Sequence, residues 1–240
     1  MNPFNELTEK GFSVAGKVEL FRMLIGLEQF LSDKKVPPED QPTVARSAQI
    51  SGNVVIGKGA KILENAVVKG PCVVSEGAIV GSYTLVRGPS YIGKHAIVGN
   101  HCYITNSFLA DYARVTHFCG VSRSIIFRNA CLSTFVNTPT LRADRAPILI
   151  EENGEKLEFK KIGAVFERDS YVAPHVMIMP GVRIGEGSFI GSFQVVEKDV
   201  SPGILLKPDI PVVEKPFDRT FPEVPPGGDI SAQTDSEVGK

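Results

Sequence analysis

The sequence predicts an all-β protein: a parallel β-helix of hexapeptide repeats with an N-terminal capping helix. Three observations carry this. An aliphatic residue returns every six positions at Val44, Ile50, Ile56, Ile62, Val68, Val74, Val80, Val86, Ile92, Val98 and Ile104, and the rhythm is regained from Phe166 through Val172, Ile178, Ile184, Ile190 and Val196. Four residues after a starter the side chain is often small, as at Ala48, Ala60, Ala66, Cys72, Ala78 and Ala96. Directly after a starter Gly or a small residue is common, as at Gly57, Gly81, Gly93, Gly99, Gly185 and Gly191. A period of six fits neither a helix nor an alternating strand, and it marks a hexapeptide array.

Each hexapeptide then forms one short strand and one turn, and three of them close a coil. The starter points into a narrow prism, the small residue sits at a crowded corner, and the chain climbs one strand spacing of about 4.8 Å per coil. Residues 1–43 form an N-terminal segment. Within it 18–32 place Leu20, Phe21, Leu24, Leu27 and Leu31 on one side of a single amphipathic helix that ends at Lys34, Lys35 and Pro37. An open β-helix end is an adhesive sheet edge, so this helix is expected to cover it.

The coils are expected over 44–201. The phase slips by one residue at Leu109 and again at Ile126, which predicts kinks or bulges in the wall. Residues 138–161 break the rhythm as an insertion, with a hairpin turn expected at Asn153-Gly154 and the arm expected to reach a neighbouring subunit. Residues 202–240 form a Pro-rich tail, expected to be disordered from 216 onward.

A formal charge of −1 without a Lys/Arg block argues against a nucleic-acid partner. No apolar run is long enough to span a membrane and no signal-peptide pattern opens the chain, so a cytoplasmic location is expected. Cys72, Cys102, Cys119 and Cys131 show no metal or disulfide spacing and read as reduced packing residues. His95 and His101 lie six apart and so on adjacent faces, and no metal site is expected.

The stretch VRGPSYIGKHAIVGNHCYITNSFLADYARVTHFCGVSRSIIF (86–127) resembles the acetyltransferase domain of bifunctional glucosamine-1-phosphate acetyltransferase/UDP-N-acetylglucosamine pyrophosphorylases, and IMPGVRIGEGSFIGSFQVVEKDV (178–200) resembles that domain's closing coils. Archaeal sugar-1-phosphate nucleotidylyltransferases carry a similar domain. The resemblance spans about 44–201 and implies a left-handed hand, a homotrimer and acetyl-CoA as a substrate. It also implies His117 as general base and Arg87 as a phosphate contact. The family's tyrosine is Gly120 here, its lysine falls on Thr105, and its two asparagines fall near Cys131 and Thr140.

Coil arithmetic places Asn100, His117 and Thr134 in one ladder, with His101 beside it, and stacks Arg87, Thr105 and Ser122 on the neighbouring face. Asn100 or Thr134 could orient the imidazole, or the three could form an ordinary polar ladder. Lys160 and Lys161 are candidates for a substrate or coenzyme A phosphate, as are Arg142 and Arg145, or they are solvated loop charges. Gly163, Ala164, Ser170 and Gly191 lie where, by the resemblance, acetyl-CoA runs along the coils. The expected function is acetyl transfer from acetyl-CoA to an amino or hydroxyl group of a sugar phosphate or nucleotide sugar. The alternative is an inactive hexapeptide scaffold or regulatory subunit for a sugar nucleotidylyltransferase.

Overall fold

The computed structural model describes residues 16–32 and 42–209. The expected helix stop at Lys34–Pro37 and the expected disorder of the tail from 216 lie outside the described residues. The described chain winds a three-sided parallel β-helix, consistent with the left-handed hand. Face A stacks nine two-residue strands from Thr43–Val44 to Leu205–Leu206. Face B stacks Gln49–Ser51, Val67–Lys69, Leu85–Arg87, Tyr103–Thr105 and Gly120–Ser122. It continues through a bridge at Asn137 to Val176–Ile178 and Gln194–Val196. Face C runs from Val54–Ile56 to Arg183–Ile184.

The register puts each starter over its counterpart one coil away, as in Val80, Val98, Val115 and Leu132 on face A. These inward side chains form a continuous axial core in which Ile62, Val80, Ile104, Val121 and Ile190 are fully buried. Both phase slips fall at the corner joining faces B and C. Ile104 to Leu109 and Val121 to Ile126 each span five residues where Val68 to Val74 and Val86 to Ile92 span six, while the inward sets stay aligned. The insertion leaves the wall at this same corner, after Asn137, and the chain returns at Val165–Phe166.

The N-terminal segment corrects two expectations. It forms two helices, α1 (Lys17–Ile25) and α2 (Leu27–Ser32), because Gly26 closes the first. It also lies along face C instead of covering the end of the stack. From the first coil to Val165 the residues pointing outward from face C are apolar: Val73, Phe108, Ile125 and Val165 are buried, and Val55 and Tyr91 are half-buried. Phe21, Leu24, Leu27 and Leu31 join them in a second core. In the first coil, by contrast, the inward Val44 and Ile50 remain 38% and 39% exposed, as expected for an end that no described helix covers.

The insertion folds onto its own chain as well. Strands Ile148–Glu152 and Glu155–Phe159 pair antiparallel around a turn with φ of 52° at Asn153 and 80° at Gly154. Ile148 and Ile150 enter the second core, Phe21 and Phe159 meet with centroids 5.8 Å apart, and the Val18 N–H donates to Glu152 at 3.3 Å. The hairpin's apolar face is therefore occupied within the protomer. Lys17 pairs with Asp199 at 2.6 Å, tying α1 to the last coils.

Phe21 is fully buried at the meeting point of helix, hairpin and face C. Phe21→Ala is expected to cost about 3–5 kcal/mol, the range for deleting a buried phenyl ring. Chemical denaturation checks this. A loss below about 1 kcal/mol would show that the second core is not integral to the fold.

Candidate functional site

The edge where face A turns into face B is built by repetition. In four successive coils the third residue after the face A strand begins carries a polar side chain: Ser82, Asn100, His117 and Thr134. These groups touch the coil before them. Asn100 Oδ1 accepts the Ser82 N–H at 3.0 Å, and one coil on His117 Nδ1 accepts the Asn100 N–H at 3.0 Å. Both bonds satisfy a turn donor that the strand ladder leaves free. Thr116 and Thr134 hydroxyls approach to 3.4 Å in the next coil.

A ring nitrogen that accepts a hydrogen bond cannot carry a proton. In this contact Nδ1 is the acceptor. His117 is exposed, so its second ring nitrogen, Nε2, is open to an approaching molecule.

Directly beside this ladder runs a second one that the sequence reading did not identify, although it noted His101. Tyr83, His101, Phe118, Phe135, His175 and Phe193 stack ring on ring, with successive centroids 5.0, 4.9, 5.1, 4.7 and 5.0 Å apart. All six adopt left-handed backbone angles, with φ between 55° and 63°. That conformation costs a side-chain-bearing residue roughly 1–2 kcal/mol relative to glycine. Offset stacking returns about 0.5–1.5 kcal/mol per pair. The rings nonetheless remain exposed, Phe193 to 66% and Tyr83 to 59%. The signal was in the sequence: ring residues recur one position after the polar ladder in each successive coil.

The other candidate residues do not gather around His117 within one protomer. Arg87 is exposed on face B, in register with Thr105 and Ser122, but at the strand's far end toward face C. Thr105 is buried and its hydroxyl donates to Ser122 at 2.9 Å, so it offers nothing to a ligand. Lys160 and Lys161 lie exposed at the end of the hairpin. Lys161 lines a cavity of about 230 Å³ with Arg123, Asn106, Phe21 and Phe159, on the side away from His117. Arg142 pairs with Asp144 at 2.6 Å beside Met179, Pro180 and Glu197, and this contact holds the Asp144 carboxyl down at about 2.

Gly163, Ala164, Ser170 and Gly191 are buried, and packing accounts for them. A Cβ on Gly163 would lie 2.1 Å from the Ser122 carbonyl oxygen, Ala164 points into the axial core, and the Ser170 hydroxyl donates to the Glu167 carbonyl at 2.6 Å.

The four cysteines are free thiols. Burial pushes Cys72 up to about 12 and raises Cys131. Hydrogen bonding to Cys102, reinforced by burial, raises Cys119. No group of three or more His, Cys, Asp or Glu side chains among the described residues could hold a metal ion.

No family model matches the chain. Its curated relatives include several proteins named "Bifunctional protein GlmU". The one from Methanococcus maripaludis (strain DSM 14266) is 35% identical over 158 residues, which cover 65% of this chain and 38% of that protein. A chloramphenicol acetyltransferase of Klebsiella aerogenes is 44% identical over 45 residues, covering 18% of this chain and 21% of that protein. The chain thus spans well under half the length of these relatives. Among solved structures, LpxA from Acinetobacter baumannii aligns with a TM-score of 0.44 at 14% identity, covering 70% of each chain. A likeness of that size carries no argument about function.

Proposed function

We propose that this hexapeptide-repeat protein is an acyl-CoA-dependent acyltransferase acting on a sugar phosphate or nucleotide sugar, with acetyl-CoA as donor and His117 as its catalytic residue. The carrying observation is the sequence similarity to the bifunctional GlmU proteins, joined to a β-helix that presents His117 on an exposed edge. Arg87 binds the acceptor's phosphate. It stands at the opposite margin of face B from His117, so the two serve one acceptor only across a cleft between protomers. We therefore infer a homotrimer. The exposed rings beside His117 support this, because they maintain apolar surface at a conformational cost. The four free thiols fit a cytoplasmic location, and no described helix is long and apolar enough to cross a membrane.

A thiol-release assay with acetyl-CoA across amino-sugar phosphates and nucleotide sugars tests the reading, alongside calorimetric titration of coenzyme A. Saturable turnover of at least one acceptor is the expected result. Absence of both turnover and coenzyme A binding would favour the second reading, a scaffold for a nucleotidylyltransferase. One observation favours that alternative: Thr105, where the family has its lysine, spends its hydroxyl on Ser122.

The ladder makes a separate prediction. Phe118→Asp puts a charge at the middle of the six-ring stack and is expected to shift the protein from trimer to monomer in light scattering, with the fold retained by circular dichroism. A trimer that persists unchanged would place the interface elsewhere.

A further inference from the structure

The corner joining faces B and C repeats one position in successive coils: Gly52, Gly70 and Gly88, then Asn106 and Arg123. Each follows the last residue of a face B strand and takes the same ladder step. The Gly88 N–H donates to the Lys69 carbonyl at 2.7 Å, and the Arg123 N–H to the Thr105 carbonyl at 2.9 Å. Three coils place glycine here. The next two carry side chains with φ of 49° at both residues, a left-handed value that Asn tolerates and that Arg adopts only at a cost. Winding the chain does not require an arginine at this corner. Its side chain, like that of Asn106, instead lines the cavity of about 230 Å³ beside α1 and the hairpin. Phe21, Leu24, Phe159 and Ile162 supply apolar lining, and Lys161 adds a second cation. Among the described residues no carboxylate pairs with Arg123 or Lys161, although Glu28 also lines the cavity. Arg22, Arg142, Arg168 and Arg183, by contrast, are each held by a carboxylate.

We propose that this cavity binds a small amphipathic anion, a carboxylate or phosphate monoester on an aryl or short alkyl body, with Arg123 and Lys161 holding the head group. Two cations that the protein leaves unneutralised attract a negative head, and a guanidinium matches carboxylate and phosphate oxygens in pairs. The Asn106 amide can donate to the same head. Phe21 and Phe159, whose rings meet 5.8 Å apart, give the body an apolar surface to cover. The volume is below the roughly 300 Å³ at which drug-sized pockets begin, so the body is small. The occupant touches α1, the end of the hairpin and the corner of the wall at once. Binding therefore joins the covering of face C to the coils beneath it. Acyl transfer is not needed for this binding, and the two readings stand or fall separately.

Calorimetric titration of the full chain tests this with phenyl phosphate, phenylacetate, inorganic phosphate and benzyl alcohol. At least one of the two aryl anions is expected to bind saturably, and the stronger of them identifies the head group. Inorganic phosphate and benzyl alcohol should each bind about tenfold more weakly or worse, because each supplies only half of the contacts. Arg123→Gly is the decisive variant. Glycine is what the earlier coils carry at this corner, and it relieves the left-handed backbone. Tm is expected to hold or rise while affinity for the aryl anion falls about tenfold or more, the scale of one hydrogen bond to a charged group. Lys161→Gln should weaken binding to a similar degree. A fall in Tm with affinity unchanged would make Arg123 a structural residue and overturn the proposal. Failure of both aryl anions to bind the parent protein would overturn it too. So would displacement of the bound anion by acetyl-CoA, which would assign the cavity to the acyl donor.

Discussion

His117→Ala is expected to lower kcat by about a hundredfold or more, the usual scale for removing a general base. KM for the acceptor should change little, because a base acts on a proton that moves only in the transition state. Coenzyme A binding should persist, as His117 is not assigned to it. Arg87→Ala should show the opposite pattern. A phosphate contact is present in the ground and transition states alike, so its loss should raise KM more than it lowers kcat. Initial rates over a matrix of both substrates separate the two. If His117→Ala instead raises KM alone, the residue binds substrate and does not assist the chemistry. Loss of the Nδ1 contact also frees the Asn100 N–H in this variant, but that donor is exposed and water can satisfy it, so stability should fall by no more than about 1 kcal/mol.

Gly99→Ala is expected to be the most damaging small substitution for stability near the site. A Cβ on Gly99 would lie 1.7 Å from the Thr116 carbonyl oxygen and 2.6 Å from its carbon. Both are backbone atoms of the next coil, and the Gly99 carbonyl is itself held by the Thr84 hydroxyl at 2.6 Å. Relief requires the coils to separate, which breaks ladder hydrogen bonds on face A. A loss of about 3 kcal/mol or more is expected, the upper part of the range for overpacking, lowering Tm by roughly 10 °C. Gly59→Ala is the control. Its φ is +62°, but nothing lies within 4 Å of the added carbon, so only the backbone term of about 1–2 kcal/mol applies. Equal losses at the two positions would show that steric contact between coils is not the cause. Because Gly99 also borders His117, any folded Gly99→Ala protein should lose activity as well.

The axial core was legible because a period of six has one geometric solution, and each starter from Ile62 to Ile104 is buried as that solution requires. The covering of face C was legible too, but from a different set of positions. From Val55 through Val73, Tyr91, Phe108 and Ile125 to Val165 the residues just before its starters are apolar, and only in the last strand does a charge, Arg183, take the place, whereas the same positions on face A include Thr43, Lys61 and Arg114. Amphipathicity alone tells that a helix has a buried side and says nothing about what buries it. His117 was found in sequence by resemblance and by coil counting. Its hydrogen bond to the Asn100 N–H was not readable there, since it joins a side chain to the backbone of a residue 17 positions away. The phase slips at Leu109 and Ile126 bracket His117 along the chain but not in space. They mark the opposite corner, where face B passes to face C.

That corner has a consequence for how the chain can change length. It takes five residues in two coils and then accommodates the whole segment between Asn137 and Val165, yet the inward residues on either side never lose alignment. The corner beside His117 has no such tolerance, because each of its residues is committed to a polar or aromatic stack. Gains and losses of sequence are thus absorbed along one edge of the prism. A tag or foreign loop grafted there should leave the winding of the remaining coils intact. The same graft at the His117 edge would put every later ring out of step with its neighbour.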